Sequence, residues 1–143
     1  MDVVVPPRDE KSVIMVCGVP GSGKSWVCEQ LKDKFTYVSH DDYIGKSLVD
    51  ATIAATADGK TVLIDCPFAE RVLRDELIKR GVTVKPYFIV EPLTVVEARY
   101  LKRDGKALPK ASATRASTIV NRAVEWGSPY GKSDVILKAL RSL

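Results

Sequence analysis

Histidine is almost missing from this chain: His40 stands alone among 143 residues. Cysteine is scarce as well, with Cys17, Cys28 and Cys66 far apart in sequence. One histidine and no close cysteine pair exclude a zinc site of the usual ligand spacing. An odd, scattered set of thiols is not a disulfide framework and points to a reducing compartment. The expected location is therefore the cytoplasm (that of the host, if the chain is viral). No run of about 18 apolar residues occurs, so no membrane span is expected, although 45% of residues are hydrophobic, enough for a core. The opening MDVVVPPRDEK has neither the basic start nor the apolar run of a secretory signal. It reads as a flexible lead-in over 1–11, followed by a single domain over 12–143. Internal repeats and low-complexity stretches are missing too.

Charge is present but uneven. The net charge is +4, yet only ten of the 22 basic residues and four of the 18 acidic ones lie from Glu97 onward. The C-terminal third thus carries the whole positive surplus, which suits a phosphate-rich ligand, either a nucleotide or a nucleic acid. A solvated helix face would look the same by charge alone.

The most informative run is Gly18-Val19-Pro20-Gly21-Ser22-Gly23-Lys24-Ser25, which fits G-x-x-x-x-G-K-[ST]. Its context agrees. The apolar stretch Val13 to Cys17 reads as a buried parallel strand, and Lys24 to Lys34 forms a helical pattern with Val27 and Leu31 on one face. Glycines in such a turn let the backbone close around a phosphate, and successive N–H groups then make an anion nest. Lys24 is placed to reach the β- and γ-phosphates of ATP, and Ser25 to hold Mg²⁺.

Beyond this turn, strands are expected at 36–39, 61–65 and 82–90 beside the first at 12–17. Helices are expected at 24–34, about 45–57, 69–80, 93–103, 113–126 and 134–142. This alternation predicts an α/β fold: a parallel sheet of about four strands with helices on both faces and a short lid. Ligands of such sheets bind beyond the carboxyl ends of the strands, where the sequence puts Ser39-His40-Asp41-Asp42-Tyr43 and Ile64-Asp65-Cys66-Pro67. Asp41 is the expected general base toward an acceptor hydroxyl. Asp65 is the expected acid on Mg²⁺, directly or through water. Asp42 reads as a helix cap and His40 as a turn residue.

A second cluster follows the fourth strand. Between Arg99 and Arg115 there are six basic residues and one acidic, on a helix end that runs into Gly105, Lys106 and Leu108-Pro109-Lys110. A cationic loop in this place suits a lid that excludes water and brings arginine to a transferring phosphate. Arg103 is the first candidate and Arg99 the next. Trp26 and Trp126 read as packing residues, and Ser128 to Lys132 as a rim for an adenine pocket.

With GVPGSGKS, SHDDY and RYLKRDGKALP in this order, the chain resembles the small P-loop kinases, most closely the kinase domain of the bacteriophage polynucleotide 5′-kinases. The resemblance covers most of the chain from about residue 12. It implies ATP and Mg²⁺, phosphate and metal binding by Lys24 and Ser25, Asp41 as general base, Asp65 as an active-site acid and Arg103 as the lid arginine. The implied acceptor is a hydroxyl of nucleic acid or nucleotide, at a 5′ end or on a hydroxymethylated base in DNA. One position departs from that pattern. The arginine expected three residues beyond the catalytic aspartate, where it helps bind the acceptor, is Ile44 here, with Lys46 or Arg74 as candidates to compensate. A kinase of a small metabolite or drug, and an NTP-hydrolysing regulator without an acceptor, stand as alternatives.

Overall fold

The computed structural model describes residues 12–43, 47–66 and 70–143. The expected lead-in over 1–11, the position of Ile44, Lys46 and the start of the expected third helix lie outside the described residues.

Five strands and six α-helices are present among the described residues, alternating except where α5 follows α4. Strand β1 (Ser12–Cys17) leads into α1 (Lys24–Gln30), β2 (Thr36–Val38), α2 (Leu48–Ala55), β3 (Val62–Cys66) and α3 (Glu70–Lys79). Then come β4 (Thr83–Ile89), α4 (Leu93–Asp104), α5 (Lys110–Glu125), β5 (Tyr130–Gly131) and α6 (Ser133–Arg141). The sheet order is β2-β3-β1-β4-β5, and every pairing is parallel. The expectation of about four strands is corrected to five. The extra strand has only two residues, too few for an alternating pattern to show. It joins the sheet edge because Val90 N–H donates to Gly131 O at 2.8 Å and Phe88 N–H to Pro129 O at 2.9 Å.

Two further expectations shift for local reasons. The helix expected to run to Lys34 ends at Gln30, and tighter bonds from Leu31 N–H to Cys28 O and from Lys34 N–H to Leu31 O continue the chain as turns. The helix expected from 113 begins at Lys110, directly after Pro109, whose carbonyl accepts from Ala113 N–H at 3.0 Å. Proline restricts its own φ to a value the helix start accepts.

Alternation along the strands builds two cores. On one face Val13, Met15, Cys17, Val62, Ile64, Cys66 and Phe88 pack against Leu73 and Leu77 of α3 and Ile119 and Ala123 of α5. On the other, Ile14, Val16, Leu63 and Ile89 pack against Val27, Cys28 and Leu31 and against Ile136, Leu137 and Leu140 of α6. Both faces of the three central strands are therefore apolar, as a parallel sheet covered on both sides requires. All strand carboxyl ends then share one edge, where the phosphate loop lies.

Leu140 is fully buried where α6 meets α1. Leu140→Ala is expected to lower stability by about 2–5 kcal/mol, through lost burial and the cavity left behind. Urea or guanidinium unfolding measures it, and a loss below about 1 kcal/mol would mean that α6 is not clamped on the core.

Candidate active site

The loop between β1 and α1 takes its form from its glycines. Gly21 and Gly23 adopt φ of 88° and 99°, a left-handed region that other residues enter at a cost. A Cβ at Gly21 would meet the Val96 carbonyl oxygen at 2.8 Å, so α4 seats directly against the loop. The loop is pinned at both ends: Gly18 N–H donates to Cys66 O at 3.3 Å, and Val27 N–H to Gly23 O at 3.0 Å. The N–H groups of Lys24, Ser25 and Trp26 open α1 without an intrahelical partner. The buried Ser22 hydroxyl has no hydrogen-bond partner. These unpaired donors and the Lys24 ammonium fit a polyphosphate.

Asp65, at the end of β3, is only 2% exposed, and three donors converge on it. His40 N–H donates to Oδ1 at 2.6 Å. Tyr37 Oη donates to Oδ2 at 3.2 Å, and Ser25 Oγ to the same oxygen at 3.4 Å. Burial, with the Asp65 charge adding to it, pushes the Tyr37 hydroxyl well above its ordinary range, so it remains a proton donor. Ser25 and Asp65 are thus brought together. No group of three or more His, Cys, Asp or Glu side chains able to hold a metal occurs among the described residues. One carboxylate and one hydroxyl nevertheless suit Mg²⁺, which keeps several waters and takes its other ligands from phosphate oxygens.

Burial pulls the Lys24 pKa below its ordinary value; Asp65 opposes this, Arg103 adds to it, and Asp41 opposes it more weakly. Asp65, Arg103 and Asp41 are therefore each close enough to act on Lys24. Asp41 is in a 3-10 turn, His40–Tyr43, with its side chain 79% exposed and 3.7 Å from His40 Nδ1. Its neighbour Asp42 does not cap the following helix. That cap is Ser47, whose Oγ accepts from Asp50 N–H at 3.1 Å. Asp42 stays in the turn, donating its N–H to Ser39 O at 3.2 Å.

The two arginines of α4 divide. Arg99 Nη1 donates to Ser22 O at 3.1 Å, across the phosphate loop. Arg103 pairs with its neighbour Asp104 at 2.9 Å and lies over the Tyr100 ring, 5.5 Å from its centre. Both line a cavity of about 200 Å³ with Gly21, Gly23, Lys24, Ser25 and Trp26. An adjoining cavity of about 320 Å³ is lined by Gly23, Trp26, Arg99 and Ser133. Trp26, expected as packing, is 49% exposed and faces both spaces. Its place two residues after Lys24 was the available signal. Trp126 does pack, edge-on to Phe88 with centroids 5.7 Å apart. The expected rim at Ser128 to Lys132 contains the two-residue β5, Tyr130–Gly131. The cavity is reached instead by Ser133, whose N–H and Oγ both donate to Glu91 Oε1 at 2.9 Å.

No family model and no curated protein sequence matches the chain. Solved structures do. A gluconokinase from Sinorhizobium meliloti 1021 superposes with a TM-score of 0.54 at 22% identity, over 75% of this chain and 73% of that one. A chain of the Pnkp1/Rnl/Hen1 RNA repair complex gives 0.62 at 20% identity, over 80% of this chain and 45% of that one. The tunicamycin resistance protein of Deinococcus radiodurans gives 0.60 at 17% identity, over 92% and 94%. The fold is that of P-loop kinases. No helix of the described residues is long and apolar enough to cross a membrane.

Two outcomes follow from this geometry. Gly21→Ala is expected to destabilise the protein by at least about 1–2 kcal/mol from the left-handed backbone alone, and to weaken ATP binding as the loop moves off Val96. Unfolding midpoints and ATP titration measure both. Lys24→Met is expected to stabilise the ligand-free protein while abolishing ATP binding. A lysine whose folded pKa lies below its ordinary value opposes folding fully at lower pH, and this opposition fades as pH rises toward 10.5. The stability gap between Lys24→Met and wild type should therefore narrow on going from neutral to alkaline pH. A variant less stable than wild type at pH 7 would contradict it.

Proposed function

We propose that this protein is a Mg²⁺- and ATP-dependent kinase that moves the γ-phosphoryl group to a hydroxyl on nucleic acid or a nucleotide. The observation that supports the reading is that Asp65 of β3 and Arg99 of α4 bond to Ser25 and Ser22 of the phosphate loop that carries Lys24, with Asp41 and Arg103 acting on that lysine. A loop of this kind alone suits switches and motors equally. A carboxylate at 41 and two lid arginines add what transfer to an acceptor requires.

In this reading the loop N–H groups and Lys24 bind the β- and γ-phosphates. Ser25 and Asp65 hold Mg²⁺, which draws charge from the phosphate oxygens when bound. Trp26 and Arg99 flank the base in the larger cavity. Asp41 orients the acceptor hydroxyl and takes its proton as the new oxygen–phosphorus bond forms and the bond to the β-phosphate breaks. Arg103 turns from Asp104 to the transferring group, and the α4–α5 segment keeps water out.

The runner-up reading is a kinase of the same fold acting on a small molecule. Its support is the likeness to a gluconokinase and to a tunicamycin resistance protein, the latter along nearly the whole of both chains. Transfer from γ-labelled ATP to 5′-hydroxyl oligonucleotides, hydroxymethyl-base DNA, nucleosides, gluconate and tunicamycin decides between them. A steep loss of acceptor binding with salt supports a polyanion. ATP hydrolysis with no labelled acceptor would overturn both kinase readings.

Asp41→Ala is expected to lower kcat by about 10²–10⁴-fold with ATP affinity retained, whereas Lys24→Ala loses both. Near-normal turnover in Asp41→Ala would remove Asp41 as the base.

A further inference from the structure

The edge of the sheet opposite the phosphate loop has a cavity of its own. Its volume is about 330 Å³, and it lies near the start of β1, β3 and β4. Lys34, Lys60 and Lys85 line it together with the hydroxyl residues Ser12 and Thr61. Ile14, Phe35 and Leu143 form its apolar part. No acidic side chain is among these residues, and none of them lines the two cavities at the phosphate loop.

Packing accounts for one of the three lysines and not for the others. Lys34 Nζ donates to Arg141 O at 2.7 Å, at the end of α6, where a cation answers the open carbonyls of a helix terminus. Lys60 and Lys85 make no hydrogen bond or ion pair. Lys85 also holds an unusual position. It stands opposite Ile14 in the parallel register of β1 and β4, and side chains so paired share a face of the sheet. Ile14 is 2% exposed and belongs to the core under α1 and α6. A lysine thus stands, exposed, on a face that is otherwise apolar.

The backbone around the cavity is already fixed. Thr36 N–H donates to Thr61 O at 3.1 Å, and Phe35 N–H to Leu31 O at 3.0 Å. The Ser12 and Thr61 hydroxyls lie 3.3 Å apart. Their bond uses one of two protons, which leaves the other to donate outward. The Lys34 ammonium likewise gives one of its three protons to Arg141 O and keeps two.

We propose that this cavity binds the phosphate ester of a small organic molecule. The three ammonium groups and the spare hydroxyl proton take the phosphate, and the organic part lies over Ile14, Phe35 and Leu143. Several donors, three of them cationic, match a dianionic head with several acceptor oxygens. The size suits one small ligand, and the apolar wall favours an ester over the bare ion. The site goes beyond the kinase reading and does not depend on it. The six residues of β1 separate it from the phosphate loop, about 17 Å of extended chain.

Phenyl phosphate is the probe, followed by calorimetry and by the backbone amide resonances of the full chain. It should bind and shift the amides of Ser12, Thr61 and Lys85. Inorganic phosphate should shift the same amides but bind about threefold or more weakly, for want of apolar contact. Lys60→Ala/Lys85→Ala should weaken phenyl phosphate by about tenfold or more. Both side chains are exposed, so the thermal midpoint should be unchanged. In Lys24→Ala, which removes the cation of the phosphate loop, the three shifts should persist whether or not the protein proves to be a kinase.

An absence of shifts at these amides, or shifts indifferent to both lysines, would overturn the site. So would binding that disappears in Lys24→Ala, because the probe would then be on the phosphate loop. Equal affinity for inorganic phosphate would overturn the assignment to an organic ester. A short oligothymidylate that binds at these amides where phenyl phosphate does not would replace the small ligand by a nucleic-acid backbone.

Discussion

A carboxylate buried at the carboxyl edge of a parallel sheet has to be compensated, and the site is organised around that need at Asp65. An unpaired ion in this position would cost several kcal/mol even after relaxation. The compensation comes from four places in the chain: the Lys24 ammonium and Ser25 hydroxyl at the start of α1, the Tyr37 hydroxyl of β2 and the His40 backbone N–H beyond it. Each hydrogen bond fixes one element relative to β3. The one to His40 holds the turn that carries Asp41. The one to Ser25 sets the first turn of α1 against the neighbouring strand end. The same charge that lowers the cost of keeping Lys24 protonated in a buried place also brings Ser25 against Asp65.

Lys24 shows the balance from the other side. Burial outweighs Asp65 in its effect on the ammonium, so the ligand-free loop holds a cation in surroundings that disfavour it. Under the proposed function a polyphosphate would supply the missing negative charge. Stability and binding are therefore opposed at this residue, which is common where a site is built ahead of its ligand. Glu70 repeats the pattern with the signs reversed, as a buried carboxylate whose Oε1 pairs with both Arg115 and Arg122.

Much of this was legible from residue patterns. The central strands announced themselves as continuous apolar runs, and the loop by glycine spacing that little else explains. The carboxylates at 41 and 65 followed from the rule that α/β sheets bind ligands at their carboxyl edge. Features that depend on tertiary context were not legible. Strand β5 is held by two backbone bonds to β4 and has almost no side-chain signature. Tyr37 reads as an ordinary strand aromatic until Asp65 is placed beside it. Glu70 and Arg115 look like surface charges on amphipathic helices, and only the docking of α5 against α3 buries them. Asp42 was expected to cap α2, and Ser47 does so instead. Ser47 is the residue directly before the helix, where a side-chain oxygen reaches the N–H three residues on.

The lid arginines differ in how firmly they are held, and the difference gives α4 its direction of response. Arg99 is already bonded to the phosphate loop through Ser22 O, and the backbone of α4 touches the loop at Gly21. The N-terminal part of α4 is thus part of the site before any ligand arrives. Arg103 is held only by an exposed pair with its neighbour Asp104 and by the face of Tyr100. An exposed pair of this kind contributes about 0–1 kcal/mol. A charge-assisted bond to a phosphate oxygen inside a water-poor cleft is roughly twice as strong as a neutral one. Under the proposed function, exchange of Asp104 for a phosphate would require only a rotation of this side chain over the Tyr100 ring. Under the proposed function the fixed arginine would define where the nucleotide sits, while the exchangeable one, a single turn further along the same helix, would answer to charge that develops there.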